Sequence, residues 1–221
     1  MTTGANFITV LQERLGKRTD LTSAIILIEA EIVRETILEA ADFYPWFLQS
    51  EDATLVTVAS QEFLSKPTNF LGIDQENDWC SLAYNDTTDT TADPWIPIEV
   101  YDWNLVKAKY KDEVIGPPEF AAYVNDLIYV RPIPDAVYTL RQRYYASDPT
   151  IFPSDGTTNL WLTHATDWVI GEVGYVLASQ YIRDAEVIKI FDALRASGKA
   201  RVYKKHIALQ EAAKSRSMGD S

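Results

Sequence analysis

Apolar residues recur along this chain with two different periods, and the switch between them sets its organisation. From Phe7 to Leu15 they follow the helical period, and Gly16 suits the left-handed residue that closes a helix. Asp20 is a candidate cap for a second helix, in which Leu21, Ile25, Ile28 and Ile32 recur at spacings of four, three and four and so share one face. Glu29, Glu31, Glu35 and Glu39 fall largely elsewhere. The run Asp42-Phe43-Tyr44-Pro45-Trp46-Phe47 ends this helix, because Pro45 cannot continue the hydrogen-bond ladder and disfavours helical geometry at the residue before it. The aromatic residues there are expected to anchor the corner to the core.

From Ala53 to Tyr145 the period becomes that of strands. Leu55-Val56-Thr57-Val58, Trp95 to Tyr101 and Leu127 to Arg131 are short β-branched or apolar runs between turn residues. Pro132, Pro134 and Asp135 predict the turn of a hairpin that joins Leu127–Arg131 to the strand ending at Tyr144-Tyr145, the prolines marking an exposed edge. Asn85 to Pro94 lacks apolar periodicity and is expected to be an exposed loop, and Gly116-Pro117-Pro118 marks a second break.

The last third returns to helix. Thr158 or Asn159 can cap a segment carrying Leu160, Trp161, Trp168, Val169, Val173, Val176 and Leu177, closed by Tyr181 and Ile182 before Arg183-Asp184. Gly171, Gly174 and Ala178 leave a shallow strip on it, suited to close approach by a neighbouring helix of the same chain or by another subunit. These three are the candidate subunit-packing residues. A final helix from about Ala185 carries Val187, Ile188, Phe191 and Leu194, passes Gly198 and continues through Val202, Tyr203 and Ile207. Its end is cationic, with Arg195, Lys199, Arg201, Lys204, Lys205, Lys214 and Arg216, and Ser215 to Ser221 is expected to lack structure. A helix C-terminus favours each cation by only about 0.3–1 kcal/mol, which accounts for two or three of them.

The predicted fold class is α+β: an α-helical bundle of about four helices with an inserted antiparallel β domain and an extended C-terminal arm. The expected boundaries are 1–52 for the N-terminal helices, 53–157 for the β domain, 158–198 for the C-terminal helices and 199–221 for the basic end.

Composition narrows the function. With 221 residues, 47% of them hydrophobic, the chain can bury one sizeable core and a smaller second one. A formal charge of −12 argues against a general nucleic-acid binder, since phosphate neutralisation needs a surplus of Lys and Arg. The single cysteine, Cys80, permits no internal disulfide and is read as a small half-buried apolar side chain in a reducing compartment. No signal peptide is evident and no apolar run approaches the roughly 20 residues that cross a bilayer, so a soluble protein is expected, without membrane association.

Catalytic chemistry is sparse. His164 and His206 lack partners at i+4, which removes the H-E-x-x-H metal site and leaves a capping or surface role for each. Asp74, Glu76 and Asp78 alternate like the start of a calcium loop, but Trp79 stands where the sharp turn needs glycine and no Glu closes the loop. No Gly-rich phosphate loop, Gly-x-Ser-x-Gly elbow or Cys-x-x-Cys occurs. No enzyme, cofactor or metal site is therefore expected.

Several segments resemble a known family when taken in order: Leu15-Gly16 leading into the long helix from Leu21, Tyr44-Pro45-Trp46-Phe47-Leu48 at its end, and Gln61-Glu62-Phe63-Leu64 after the first strand. Tyr123 to Pro134 follows, then Tyr144-Tyr145, then Thr157 to Leu162 opening the helix that carries Val176 to Asp184. Together they make the chain similar to the head-to-tail adaptor, or connector, proteins of tailed bacteriophages, particularly the short-tailed ones. The resemblance implies a structural virion protein. Twelve copies would ring the underside of the portal protein, join capsid to tail, contact the nozzle or tail-tube proteins, and let double-stranded DNA pass through the lumen without specific binding. It also implies assembly in the host cytoplasm and a final place in the virion neck, with a C-terminal arm docked on the portal. Arg201, Lys204, Lys205, Lys214 and Arg216 are the candidate portal-binding residues. The alternatives are a tail-completion or tail-tube terminator protein and a soluble hydrolase with unrecognised carboxylates.

Overall fold

The computed structural model describes residues 2–18, 20–39, 43–73, 81–85, 95–110, 114–148 and 152–217, with side chains to residue 212 in the last helix. Cys80, the acidic residues from Asp74 to Asp78 and all of the expected polar loop except Asn85 lie outside the described residues. Among the described residues the elements run α1 (Gly4–Arg14), α2 (Ser23–Glu39), β1 (Gln49–Val56), β2 (Phe63–Ser65), β3 (Phe70–Ile73), β4 (Leu82–Asn85), β5 (Ile96–Val100), α3 (Trp103–Lys109), β6 (Phe120–Val124), β7 (Leu127–Arg131), β8 (Thr139–Ala146), α4 (Leu160–His164), α5 (Thr166–Leu177) and α6 (Ala185–Ser217). The chain divides into two compact units. One holds residues 1–48 and 148–212, and the other 49–147 with 213–221.

The helical unit begins with α1, whose first turn is capped by the Thr3 hydroxyl accepting from the Asn6 amide at 3.4 Å. Its end forms the expected left-handed cap: Gly16 has φ 82°, its amide donates to Glu13 O at 3.2 Å, and the Lys17 amide donates to Gln12 O at 2.7 Å. Helix α2 departs from expectation in two ways. Asp20 does not cap it, because its carboxylate is held 2.7 Å from the Arg18 guanidinium, and the Thr22 hydroxyl takes the cap by accepting from Ile25 N at 3.4 Å. Its core face is Ile26, Ala30 and Val33, while Ile28 and Ile32 of the expected apolar face are 60% and 49% exposed. Apolar residues surround this helix on most sides, so a three-four spacing fits more than one face.

The segment expected to be one helix from Asn159 is two, broken at Ala165. The Asn159 side chain caps α4 by accepting from Leu162 N at 2.9 Å. Helix α5 loosens into a π-turn over Ala178–Ile182 and is closed by Arg183 in the left-handed region, φ 57°. The carboxylate of Asp184 then caps α6 through the Glu186 amide at 2.8 Å. Helix α6 passes Gly198 without a break and reaches Ser217, so the extended arm expected from residue 199 is helical up to that point. Six α-helices, not about four, are found among the described residues, because the break at Ala165 adds one and α3 lies in the other unit.

That other unit is an eight-stranded sheet in the order β1-β8-β4-β5-β6-β7-β2, with β3 also paired to β8. It is not wholly antiparallel: β5 and β6 run parallel. A parallel pair needs a crossover connection, and α3, capped by Asp102 through Asn104 N at 2.8 Å, supplies it. The expected hairpin between β7 and β8 is absent as well. Strand β7 pairs with β6 and β2, while β8 pairs with β1, β3 and β4, so Pro132 to Pro134 carries the chain between separate parts of the sheet. Nor does β8 form an edge. The two-residue hairpin lies one strand earlier, where Asn125, φ 51°, and Asp126 join β6 to β7 and Val124 faces Leu127. Leu55 of β1 and Leu64 of β2 come from opposite ends of the strand order, yet both pack on one cluster with Leu82, Ile98, Val130 and Leu140. The sheet therefore curls into a half-barrel.

Candidate assembly surfaces

Three features of the helical unit bear on function, and each is built from side chains on α2, α5 and α6. The first is the seam between α5 and α6. A Cβ placed on Gly171 would lie 2.3 Å from the Arg195 amide nitrogen, one on Gly174 would lie 2.1 Å from the Phe191 ring, and one on Gly198 would lie 2.4 Å from the Trp168 nitrogen. These antiparallel pairs bring the two backbones together along several turns, with Phe191, Val173, Leu177 and Ala178 fully buried. The glycine strip is thus occupied by α6 of the same chain, and Gly171 and Gly174 offer no room to a second subunit. Gly198, which closes the seam from the other side, carried no comparable signal in the sequence because no second small residue stands one turn away from it in the pattern Gly171 and Gly174 share.

The cationic end of α6 is the second feature, and its members divide. Arg201 is paired with the Asp167 carboxylate. The Lys205 ammonium lies 4.2 Å from the centre of the Trp46 ring, while Lys204 is exposed. Lys214 and Arg216 fall within α6, their side chains outside the described residues. Further up, Arg195 sits 2.8 Å from Asp192, 3.6 Å from Glu172 and 3.9 Å from the Tyr175 ring. The aromatic corner works as expected: Phe47 packs edge-on to Trp161 at 5.3 Å, and Trp46 edge-on to His164 at 4.7 Å. Burial first, and the Lys205 charge second, push the His164 pKa below its ordinary value. His206 is not a surface residue. It is 2% exposed, packs tilted against Phe43 at 5.5 Å and has Nε2 3.0 Å from the Gln210 amide.

The third feature is a groove of about 410 Å³ in the helical unit, lined by Ile32 and Val33 of α2, Phe43, Trp168 and Val176 of α5, and Lys199 of α6. Ile32 of that lining is 49% exposed, and Ile28, one turn earlier on α2, is 60% exposed. In the β unit a smaller set of exposed apolar residues, Val58, Val114, Ile115 and Val137, gathers about the crossing segment from Pro132 to Val137. Among the described residues no group of three or more His, Cys, Asp or Glu side chains could hold a metal ion. No helix there is long and apolar enough to cross a membrane.

The seam holds two helices of the unit together, while the cationic helix and the groove leave charge and apolar side chains exposed. Comparison with known families identifies the setting, since the model of the SU10 adaptor protein family matches residues 2–219, both units included. The chain belongs to that family. The adaptor reading made from the sequence segments therefore holds at family level, and the adaptor is a structural component of a bacteriophage particle. No curated protein matches the adaptor. The exposure of Ile28 and Ile32 is what sequence reasoning missed. Their spacing was visible, but a spacing that fits a core face fits an exposed one equally well.

Proposed function

We propose that the adaptor forms a ring of twelve copies beneath the portal of a short-tailed phage, joins capsid to tail in the virion neck and prolongs the DNA channel. The observation that carries this reading is the extent of the family match, which spans residues 2–219 and so covers the helical and the β unit alike. Helix α6 supports it. Its 33 residues form one continuous rod that ends in cations on a chain of net charge −12. A rod of this kind docks on an acidic partner surface without first ordering a flexible arm, and charge complementarity orients the encounter. Arg201, Lys204, Lys205, Lys214 and Arg216 are assigned to the portal contact, and tail proteins to the opposite end of the ring. An acidic lumen would repel phosphates and let DNA slide.

The test is electron microscopy of the full chain mixed with the portal of its own phage, with binding measured in parallel. A ring seated on the portal is expected. Lys204→Glu, Lys205→Glu, Lys214→Glu and Arg216→Glu combined should weaken the binding at least tenfold. Portal particles that remain bare, or the fourfold variant binding as tightly as the parent, would refute the reading or its assignment of the cationic end.

A further inference from the structure

Helix α2 is apolar on two sides, and only one of them is used within the chain. Ile26, Ala30 and Val33 are buried, yet Ile25, Ile28 and Ile32, followed by Glu35, form a second line at spacings of three, four and three. Ile25 is half-buried, whereas Ile28 and Ile32 are 60% and 49% exposed. Adjacent exposed isoleucines on a helix with a groove beside them mark an interaction site.

The same chain carries a surface that fits this line. On α6 the buried stripe is Phe191, Gly198, Val202 and His206. Away from it run Ala193, Ala196, Ala200 and Tyr203, again at spacings of three, four and three, and all exposed. Three alanines in such a row leave holes between longer neighbours, and large isoleucines at the matching spacing are the knobs that fill them. Charge agrees. Helix α2 carries four glutamates against the single Arg34, while α6 carries eight cations against three acids. Lys189 and Lys204 flank the alanine row, and Glu35 and Glu39 continue the isoleucine row, all four exposed. Ridge and row are both exposed in one chain, so they do not cover each other. They are also different surfaces, and a contact between different surfaces on identical chains runs head to tail, the arrangement that closes into a ring.

We infer that the Ile28–Ile32 ridge of α2 is the seat for a second copy of this chain, which presents the Ala193–Ala196–Ala200 row of its α6. This rests on the ring proposed above and names its lateral contact. The repulsion between two acidic α2 helices disfavours the symmetric alternative in which ridge meets ridge.

The test uses the full chain in two variants. Ile28→Lys with Ile32→Lys places two cations opposite the cationic α6 and, because both positions are exposed, should leave the far-ultraviolet circular dichroism and melting temperature of the monomer close to those of the parent. Sedimentation velocity should then show the parent as an oligomer and this variant as a monomer. In a Cys80→Ser background, Ile28→Cys with Ala196→Cys should give a ladder of disulfide-linked chains on mild oxidation, and Ile28→Cys alone should not. An oligomer unaffected by the lysine pair, with no ladder from the cysteine pair, overturns this inference and leaves the ring standing. The same result accompanied by lost binding to the portal or a tail protein reassigns the ridge to that partner and equally overturns it. A parent chain that stays monomeric at every concentration, with portal present or absent, brings down both.

Discussion

Helices α5 and α2 belong to the same unit and both carry apolar residues at helical spacing, but they use them in opposite ways. On α5 the apolar side chains and the glycines between them are consumed inside the chain: α6 lies so close that Gly171, Gly174 and Gly198 admit no Cβ. On α2 one apolar face is buried, while Ile28 and Ile32 on another stay 60% and 49% exposed. The difference is that small residues mark where two helices of this chain meet, and exposed large apolar residues mark where α2 has no such neighbour.

The contrast can be broken most forcefully at the seam. Phe191→Ala removes a ring that is 0% exposed and packed on Gly174, and should cost about 3–5 kcal/mol by chemical denaturation. A cost below about 1 kcal/mol would mean that α5 and α6 are not the rigid pair described. Gly171→Val forces a branched side chain against the Arg195 backbone, which cannot swing aside, and should cost about 1–3 kcal/mol. At the ridge the expectation reverses. Ile28→Ser should shift the stability of the dissociated monomer by no more than about 0.5 kcal/mol, because Ile28 is 60% exposed and lies outside the groove lining. A larger loss would show that the ridge is part of the subunit core after all.

A still smaller effect should follow pH. His164 has a folded pKa below its ordinary value, owing to burial and then to Lys205, so the fold disfavours its protonated form. The unfolded chain then binds the proton more readily, and stability should be fully present above about pH 6.5 and decline as the pH falls through the lower folded pKa. His164→Gln should flatten that part of a denaturation-against-pH curve. An unchanged slope would mean that neither burial nor Lys205 opposes protonation of this imidazole.

Much of this fold could be read from local chemistry. Gly16, Asn159 and Arg183-Asp184 ended or began helices where short-range hydrogen bonding dictates it, and the run Leu127–Arg131 was a strand with those very bounds. What failed were statements about partners. The prolines at 132 and 134 signalled a turn, and the chain does leave its strand there, but a missing N–H cannot say whether the next strand pairs with the last one or crosses to another part of the sheet. Asn125-Asp126, a better two-residue turn, was overlooked because no strand was assigned to Phe120–Val124 before it. Helix α3 escaped notice because Val106 is its one buried residue, leaving no stripe to detect. The candidate surfaces were legible to a similar degree. The cations of α6 were visible as a cluster, but whether each meets Asp167, Trp46 or solvent depends on elements far away in the chain.

The interruption of the helical unit by residues 49–147 also bears on how the polypeptide is born. During translation α1 and α2 leave the ribosome well before α5, which packs on α2, exists to help cover Ile26, Ala30 and Val33. Until then both sides of α2 are sticky, and nascent chains on the same message are near one another. Early expression should therefore depend on chaperones more heavily than the finished subunit's compactness would suggest.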